Sequence, residues 1–327
     1  MTVCIAAMCE SGRKLVTATD GLLTYGGITA EGMDAKMYWH GDWQFLFAGS
    51  PGYMGLFLEE FRHLANGNSI LLTRERIQES AHQAYLAFVA KTVSSSVLSP
   101  FGITLDSFIR DGRSYFGDDV FKTVHERLEA ESRILQQEQM LVTGWGKSPS
   151  SAMIFEIGGS GYTASHELTG MASIGSGAEV AMSTLLTLGQ KRSSGLAETL
   201  YRVAAAKFMS EKANGEYVGM NTAIHISWQR QQGENDNKPP GVLLHPDALE
   251  QLRTDWDNYG RPKIADQCLM SAASIVGSLG IASVDDMRAS IAASIRLRNQ
   301  SNCVSSHAEE EDPEFGRASD KDQAVSE

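Results

Sequence analysis

TVCIAAMCESGRKLVTATDG, residues 2–21, carries the clearest strand pattern in the sequence. Two runs of β-forming residues, 2–9 and 14–20, flank the turn-forming residues ESGR, so this stretch predicts a β-hairpin. Its first residue, Thr2, becomes the N-terminus once Met1 is removed. A free N-terminal threonine carries a nucleophilic hydroxyl and a candidate base, its own amine, in one residue. Threonine at position 2 is common, however, so by itself it does not indicate catalysis.

The remaining strands and helices are predicted in clusters. Strand-like runs lie near 35–39 and at 43–48, 139–144, 152–156, 161–166 and 222–228. Helical periodicity marks 51–64, 73–92, 119–136, 177–188 and 196–211, whereas 93–118 shows no clear pattern. Clustered strands and clustered helices favour antiparallel sheets over a parallel βαβ fold. We therefore expect an α+β fold, a four-layer αββα sandwich whose short apolar strands are covered on both faces.

Composition excludes several classes of function. The net charge is −12, which argues against a nucleic-acid partner. The 4 cysteines show no metal-binding or disulfide spacing, so we expect no metal, no cofactor and a reducing cytoplasm. The apolar run VCIAAM is too short for a signal-peptide core, and we find no run of apolar residues long enough to span a bilayer. We expect no membrane partner.

The chain divides into four predicted regions. Residues 1–228 form the main domain, and the polar segment QRQQGENDNKPP, 229–240, is a linker. A helical C-terminal extension, 241–303, contains predicted helices at 246–258, 264–279 and 283–298. The acidic tail 304–327 has almost no apolar residues, so we expect it to be disordered.

Four stretches of the sequence belong together: the opening hairpin TVCIAA…KLVTATDG, Lys36 followed by FLFAGSPG, SIGSGAEVA, and the helix that ends at Glu211 before the last strand. In this order they resemble proteasome β subunits and their bacterial two-ring peptidase relatives, within the N-terminal nucleophile (Ntn) hydrolase superfamily. They span residues 2–228. The resemblance implies the Ntn-hydrolase fold for this region, and it has no counterpart for the last hundred residues.

The resemblance implies a catalytic role for three residues. Thr2 matches the nucleophile, although its hairpin is about two residues longer than the commonest pattern. Asp20 matches an aspartate that pairs with and orients the lysine at Lys36, whose positive charge lowers the pKa of the threonine hydroxyl and amine. The alternatives are an Asp-Gly turn signal at Asp20 and an ordinary solvated lysine at Lys36.

Three further residues match supporting positions. The backbone N–H of Gly49 corresponds to an oxyanion donor, although FAGSPG is equally a tight strand-to-helix turn. Ser176 matches a serine near the threonine amine, while Ser176 and Glu179 together also form a capping-box pattern. Glu211 takes the approximate place of an aspartate near the amine, but the loop KANGEYVGMN departs from the family motif.

Other reactive residues have simpler interpretations. Cys4 is a rival nucleophile with the same strand parity as Thr2, but it is not N-terminal, and we interpret it as a small buried residue. His40 and His225 have no partner spacing that implies a metal, and we interpret both as structural.

The sequence therefore predicts a threonine-type peptidase that acts on peptide or unfolded-protein substrates. Family analogy adds a ring-shaped homo-oligomer, with an unfoldase or another regulator as a possible partner. Two alternatives stay open. One is an Ntn-type amidase that acts on a small-molecule amide, and the other is a catalytically inactive ring or scaffold subunit.

Overall fold

The structure is a computed structural model that describes residues 2–25, 28–31, 36–65, 73–145, 152–158, 162–214, 218–229 and 240–260. All of them belong to one compact unit, Met1–Gly260, while a second unit, Arg261–Glu327, lies outside the described residues. The helices predicted at 264–279 and 283–298, the acidic tail 304–327 and most of the linker 229–240 also lie outside them.

The first sheet is antiparallel and is built on the N-terminal hairpin. Its strand order is β10 (Met171–Ile174), β1 (Cys4–Cys9), β2 (Lys14–Asp20), β11 (Thr222–Trp228) and β12 (Val242–Leu243). Cys4 pairs with Thr19 and Cys9 with Lys14, which confirms the predicted hairpin. Because β1 and β2 lie in the interior of the sheet, each has a hydrogen-bonded strand on both sides.

The second sheet is also antiparallel and follows the order β5 (Met37–His40), β6 (Trp43–Ala48), β7 (Gln139–Trp145), β8 (Ala152–Gly158) and β9 (Tyr162–Ser165). Ala48, the last residue of β6, pairs with Gln139, the first residue of β7. This register places the residues directly after β6 beside those directly before β7.

Seven α-helices are found among the described residues: α1 (Pro51–Leu64), α2 (Arg74–Val93), α3 (Leu105–Phe116), α4 (Asp118–Leu135), α5 (Ala178–Thr187), α6 (Leu196–Ala213) and α7 (Pro246–Asp255). The first four share a core with the second sheet, centred on Phe45, Phe57, Phe61 and Phe88. Helices α5, α6 and α7 share a core with the first sheet that includes Ile5, Phe208 and Trp256. A third core joins the two sheets through residues such as Cys4, Met8, Leu46 and Leu141.

These cores explain the unbroken apolar sequence of β1. Ile5 and Ala7 contact the helix side of the sheet, while Cys4, Ala6 and Met8 contact the other sheet. A strand that is buried on both faces has no face in solvent, so its sequence does not alternate between apolar and polar residues.

The predicted fold class needs correction. The expected four-layer αββα sandwich of Ntn-hydrolase type is wrong as stated, since the described residues form an open sandwich of two 5-stranded antiparallel sheets plus helices. A separate 2-stranded sheet pairs β3 (Leu22–Tyr25) with β4 (Ile28–Glu31). Short apolar runs report that a strand is covered on both faces, but they carry no information about how the sheets close or which edges stay open.

Two strands that complete the first sheet, β10 and β12, were missed in the sequence analysis. The unpatterned region 93–118 contains a π-helical turn at Ser94–Leu98, a 3-10 turn at Ser99–Phe101 and helix α3. Together with α2 it forms a helical run, Glu75–Phe116, that is long and apolar enough to cross a membrane by length and composition alone. One such run is weak evidence, and its residues Ile77, Tyr85 and Phe88 lie in a core.

Candidate functional site

Thr2 is buried directly before β1, with only 3 % of its surface exposed. Its backbone is held from the β10–α5 connection. The Thr2 nitrogen donates to the Ser176 hydroxyl at 3.1 Å, and the Thr2 carbonyl accepts from that hydroxyl at 3.2 Å and from the Gly177 N–H at 3.2 Å. In this chain the Thr2 nitrogen follows Met1 as a peptide nitrogen, and it becomes an amine only when Met1 is removed.

Asp20 and Lys36 meet Thr2 from two different sheets. Asp20 is the last residue of β2, and Lys36 directly precedes β5. The Lys36 ammonium donates to both carboxylate oxygens of Asp20, at 2.9 and 3.0 Å, and also to the hydroxyl of Thr2. The structure therefore brings together the three residues that the sequence singled out as catalytic.

The Asp20 carboxylate is fixed by more than the ion pair. It accepts hydrogen bonds from the backbone N–H groups of Val3 at 3.0 Å, Leu22 at 3.3 Å and Gly219 at 3.0 Å. A buried carboxylate with this many donors has its lone pairs satisfied, so burial of the ion pair leaves no unmet hydrogen-bonding demand. The Asp-Gly turn interpretation is insufficient, because this side chain organises three separate segments.

An ammonium beside a hydroxyl changes what the hydroxyl can do. A nearby positive charge favours the deprotonated form of an oxygen nucleophile. Thr2 with Lys36 thus has the arrangement of an activated nucleophile, in which the hydroxyl touches a group that is itself oriented by a third. Cys4 lacks such activation, because burial and then the charge of Asp20 raise the pKa of its thiol well above the usual range.

Gly49 directly follows β6 and has a φ of 155°, in the region that favours glycine. The preceding residue, Ala48, lies against Gly175, which in turn abuts the Thr2 carbonyl. These contacts bring the Gly49 turn to the neighbourhood of Thr2. The role of its N–H as an oxyanion donor stays a prediction.

Glu138 is a site residue that the sequence analysis missed. It precedes β7 and lies opposite Gly49, where a side chain on Gly49 would overlap its carboxylate. An oxygen of this carboxylate accepts the Ser50 N–H at 2.9 Å. Burial raises the pKa of Glu138 to about 7, although the Ser50 N–H opposes the shift. The only signal in the sequence was a charged residue at the edge of an apolar strand, which is common.

The capping-box prediction for Ser176 is wrong. Helix α5 begins at Ala178 with Gly177 as its N-cap, and no side chain caps it. The Ser176 hydroxyl contacts the Thr2 backbone instead, as the resemblance implied. Nearby, the Gly175 N–H donates to the side-chain oxygen of Gln139 at 2.9 Å, so β7 also supports this corner of the site.

Glu211 lies in a second buried cluster rather than against Thr2. Its carboxylate accepts from the Lys207 ammonium and from the Thr222 hydroxyl at 3.2 Å. Arg253 of α7 donates to the same carboxylate at 2.7 and 3.1 Å, and its guanidinium lies 4.3 Å from the centre of the Phe208 ring. The structure therefore gives Glu211 other partners than the threonine amine suggested by the resemblance.

Lys207, also missed, joins this cluster to the site. Its ammonium donates to the Gly219 carbonyl at 2.8 Å, while the Gly219 N–H binds Asp20. Burial lowers the pKa of Lys207, and the charge of Glu211 opposes that shift. The one signal in the sequence was a lysine within the small apolar run VAAAKF of α6.

The two histidines considered in the sequence, His40 and His225, pack against aromatic rings. The His40 ring packs edge-on against Phe61 at 5.2 Å, and the His225 ring lies 4.6 Å from that of Trp39. Within the described ranges, no group of three histidine, cysteine, aspartate or glutamate residues is arranged to hold a metal ion.

Comparison with known proteins shows similarity at the level of structure. No protein-family model and no curated protein matches the sequence. The solved structure of an Anbu (Gly-1) mutant from Hyphomicrobium sp. strain MC1 matches with a TM-score of 0.52 and 14 % identity, over 81 % of this chain and 99 % of that one. Anbu (ancestral beta-subunit) from Yersinia bercovieri matches with a TM-score of 0.53 and 11 % identity, over the same 81 % and 99 %.

These findings correct the family inferred from the sequence. The chain resembles Anbu proteins distantly, and the assignment to proteasome β subunits or two-ring peptidases is not supported, because no family model matches and the structural identities are 14 and 11 %. Short motifs in a shared order report a shared fold more reliably than a particular family. At these identities the likeness shows the fold alone.

Proposed function

We propose that this chain is a threonine-type peptidase that hydrolyses peptide bonds with the Thr2 hydroxyl after Met1 has been removed. One observation carries the proposal: the Lys36 ammonium bridges the Thr2 hydroxyl and the Asp20 carboxylate in a buried position. Such a charge stabilises the oxygen nucleophile as it forms. The fold shared with a protein described as an ancestral beta-subunit supports the proposal at the level of fold.

The proposed reaction uses the new amine of Thr2 as the base. The hydroxyl proton passes to this amine, and the hydroxyl oxygen bonds to the carbonyl carbon of the substrate. The oxyanion that forms accepts a hydrogen bond from the Gly49 N–H. The C–N bond then breaks, the leaving amine receives the proton, and water hydrolyses the ester on Thr2. Lys36, bound to both oxygens of Asp20, stays charged throughout and orients the hydroxyl.

Peptide hydrolysis by the purified full-length chain tests the proposal. We expect cleavage of unstructured protein and fluorogenic peptides, and a loss of about 1000-fold or more in Thr2→Ala because the nucleophile is gone. Thr2→Ser, which keeps a hydroxyl, is the matched control and should retain activity. Wild-type rates in Thr2→Ala would overturn the proposal. Action on small amides alone would favour the amidase, and no reaction despite Met1 removal would favour the scaffold.

We also propose that the peptidase works as a ring-shaped homo-oligomer, since enclosure would keep an unselective nucleophile from other proteins. Self-association would also cover exposed apolar side chains such as Ile109 and Tyr115. Light scattering on the purified protein tests this point, and a mass near the 35.5 kDa of a single chain would contradict it.

A further inference from the structure

The carboxylate of Glu138 lies over the peptide that joins Gly49 and Ser50. It accepts the Ser50 N–H at 2.9 Å, and it fills the space that a side chain on Gly49 would occupy. In the proposed reaction, the Gly49 N–H of this turn donates a hydrogen bond to the oxyanion. The Glu138 carboxylate therefore lies beside the turn that a substrate carbonyl has to reach in that reaction.

Glu138 is linked to Thr2 by a short series of contacts. The next residue, Gln139, accepts the Gly175 N–H at 2.9 Å, and Gly175 abuts the Thr2 carbonyl. Because Glu138 directly precedes β7 and Gln139 is its first residue, the same strand end positions the carboxyl group and supports the residue beside Thr2. Glu138 is itself 8 % exposed, so it is largely shielded from water.

The surroundings of Glu138 leave both of its protonation states accessible near neutral pH. Burial raises its pKa to about 7, while the Ser50 N–H from the start of α1 and the positive charge of the amino terminus, which passes to Thr2 when Met1 is removed, lower it. The titratable group that faces it from α2 is Tyr85, whose hydroxyl donates to the Glu138 backbone carbonyl at 3.5 Å. Burial and then the charge of Glu138 raise the pKa of Tyr85 to about 12, so this hydroxyl stays neutral.

We propose that Glu138 is a further catalytic residue, whose protonated carboxyl group donates a hydrogen bond to the substrate carbonyl oxygen while Thr2 attacks the carbonyl carbon. The inference rests on the proposed function. The proton stays on Glu138 throughout, so no group is transferred and the reaction is otherwise unchanged. An ionised carboxylate at the same place has no proton to donate and repels the oxyanion, so the ionised form slows the attack.

The test compares acylation of Thr2 in variants of the full-length chain from pH 6 to pH 9. The probe is a peptidyl β-lactone, an activated ester that acylates a hydroxyl nucleophile, and the first-order rate is read by intact mass. Glu138→Gln keeps an N–H donor without an ionisable proton, whereas Glu138→Leu has no donor. Glu60→Gln, a carboxylate on α1 that pairs with Lys91, is the control for loss of a negative charge elsewhere.

The rate ratio of Glu138→Gln to wild type should be near 1 at pH 6 and reach about 10 at pH 8, as expected for a carboxyl group with a pKa of about 7. Glu138→Leu should be about 100-fold slower than Glu138→Gln, the usual effect of losing one oxyanion donor. A ratio that is constant with pH overturns the role of Glu138. Equal rates for the glutamine and leucine variants do the same.

Two further outcomes are separable. If no variant is acylated at any pH, the proposed function fails and the role of Glu138 fails with it. If Thr2 is acylated but the ratio does not change with pH, only the role of Glu138 fails. Thermal unfolding of each variant shows whether it folds, and if Glu138→Leu does not, the pH dependence of the glutamine ratio decides alone.

Discussion

Among the described residues, two buried lysine–carboxylate pairs have different third partners. Lys36 and Asp20 are joined by a hydroxyl at the start of the chain, that of Thr2. Lys207 and Glu211 are joined instead by the Gly219 carbonyl and by the guanidinium of Arg253. Both lysines are buried, at 3 and 0 % exposure.

The difference between the pairs lies in what each ammonium can influence. In the first pair, which we call the Thr2 pair, the charge acts on a group that can become a nucleophile. In the second, which we call the Arg253 pair, the neighbouring carbonyl and guanidinium have no such chemistry. A buried lysine by itself therefore does not indicate catalysis. The group next to its ammonium, besides the carboxylate, determines whether the charge can activate a nucleophile. Gly219 binds both pairs, so the Arg253 pair serves as a support for Asp20.

The largest expected effect is loss of reactivity in the Thr2 pair. Lys36→Met should slow acylation of Thr2 by about 1000-fold, because the hydroxyl loses the charge that favours its deprotonation. Lys207→Met, the matched change in the Arg253 pair, should slow it by less than about 10-fold, because Lys207 touches no reacting atom. Acylation rates measured by intact mass give the comparison. Equal losses in the two variants would show that the pairs do not differ in the proposed way.

Stability gives a second measure of the Arg253 pair. Removing one partner of a buried ion pair costs about 3–5 kcal/mol, and Glu211 keeps Arg253 when Lys207 is lost, so we expect about 3 kcal/mol for Lys207→Met. The free energy of unfolding from urea titration is the measurement. A variant as stable as wild type would mean that the Lys207–Glu211 pair contributes nothing.

A buried base without a carboxylate partner sharpens the contrast. Burial lowers the pKa of His225 to about 4, and its Nδ1 atom has no hydrogen-bond partner among the described residues. Because the folded pKa lies below the unfolded value of 6.5, this group favours folding above pH 6.5, and that stability is lost as the pH falls toward 4. The loss should be about 3 kcal/mol, because each unit of the difference between the two pKa values contributes about 1.4 kcal/mol. Urea titrations at several pH values should show that the free energy of unfolding falls less with decreasing pH in His225→Asn than in wild type. The same pH dependence in both proteins would contradict this role of His225.

The smallest expected effect concerns the outer partner of the second pair. Arg253→Ala should lower the free energy of unfolding by about 1.5 kcal/mol, since it removes hydrogen bonds to a charged group and a cation–π contact. Arg253→Lys should restore only part of this, because an ammonium does not reproduce the two-pronged contact with Glu211. Thermal unfolding checks both variants. Full recovery in the lysine variant would show that charge alone matters.

The sequence predicted the local structure well and long-range contacts unevenly. The N-terminal hairpin and most helices follow from patterns of neighbouring residues. Thr2, Asp20 and Lys36 were found because a known order of motifs connects them. The strand β12 escaped notice because it has two residues, and β10 because the glycines on either side, Gly170 and Gly175, are typical of a loop.

Glu138 and Lys207 show what local patterns cannot supply. Glu138 is buried because the β6–β7 register sets it opposite a glycine, and register is not a property of either strand alone. Lys207 is tolerated inside α6 only because Glu211 and the carbonyl of Gly219 accept from its ammonium, and how the segment after α6 folds back is not visible in the pattern of the helix. Such residues follow from pairings that only the folded chain reveals.

Intact-mass analysis of the purified chain, before and after reaction with the peptidyl β-lactone, shows whether Thr2 is the nucleophile. We predict a chain that lacks Met1 and gains one acyl group, located on the N-terminal peptide at Thr2. Thr2→Ala should gain none. Retention of Met1 in all molecules, or equal acylation of Thr2→Ala, would contradict the claim that Thr2 is the nucleophile.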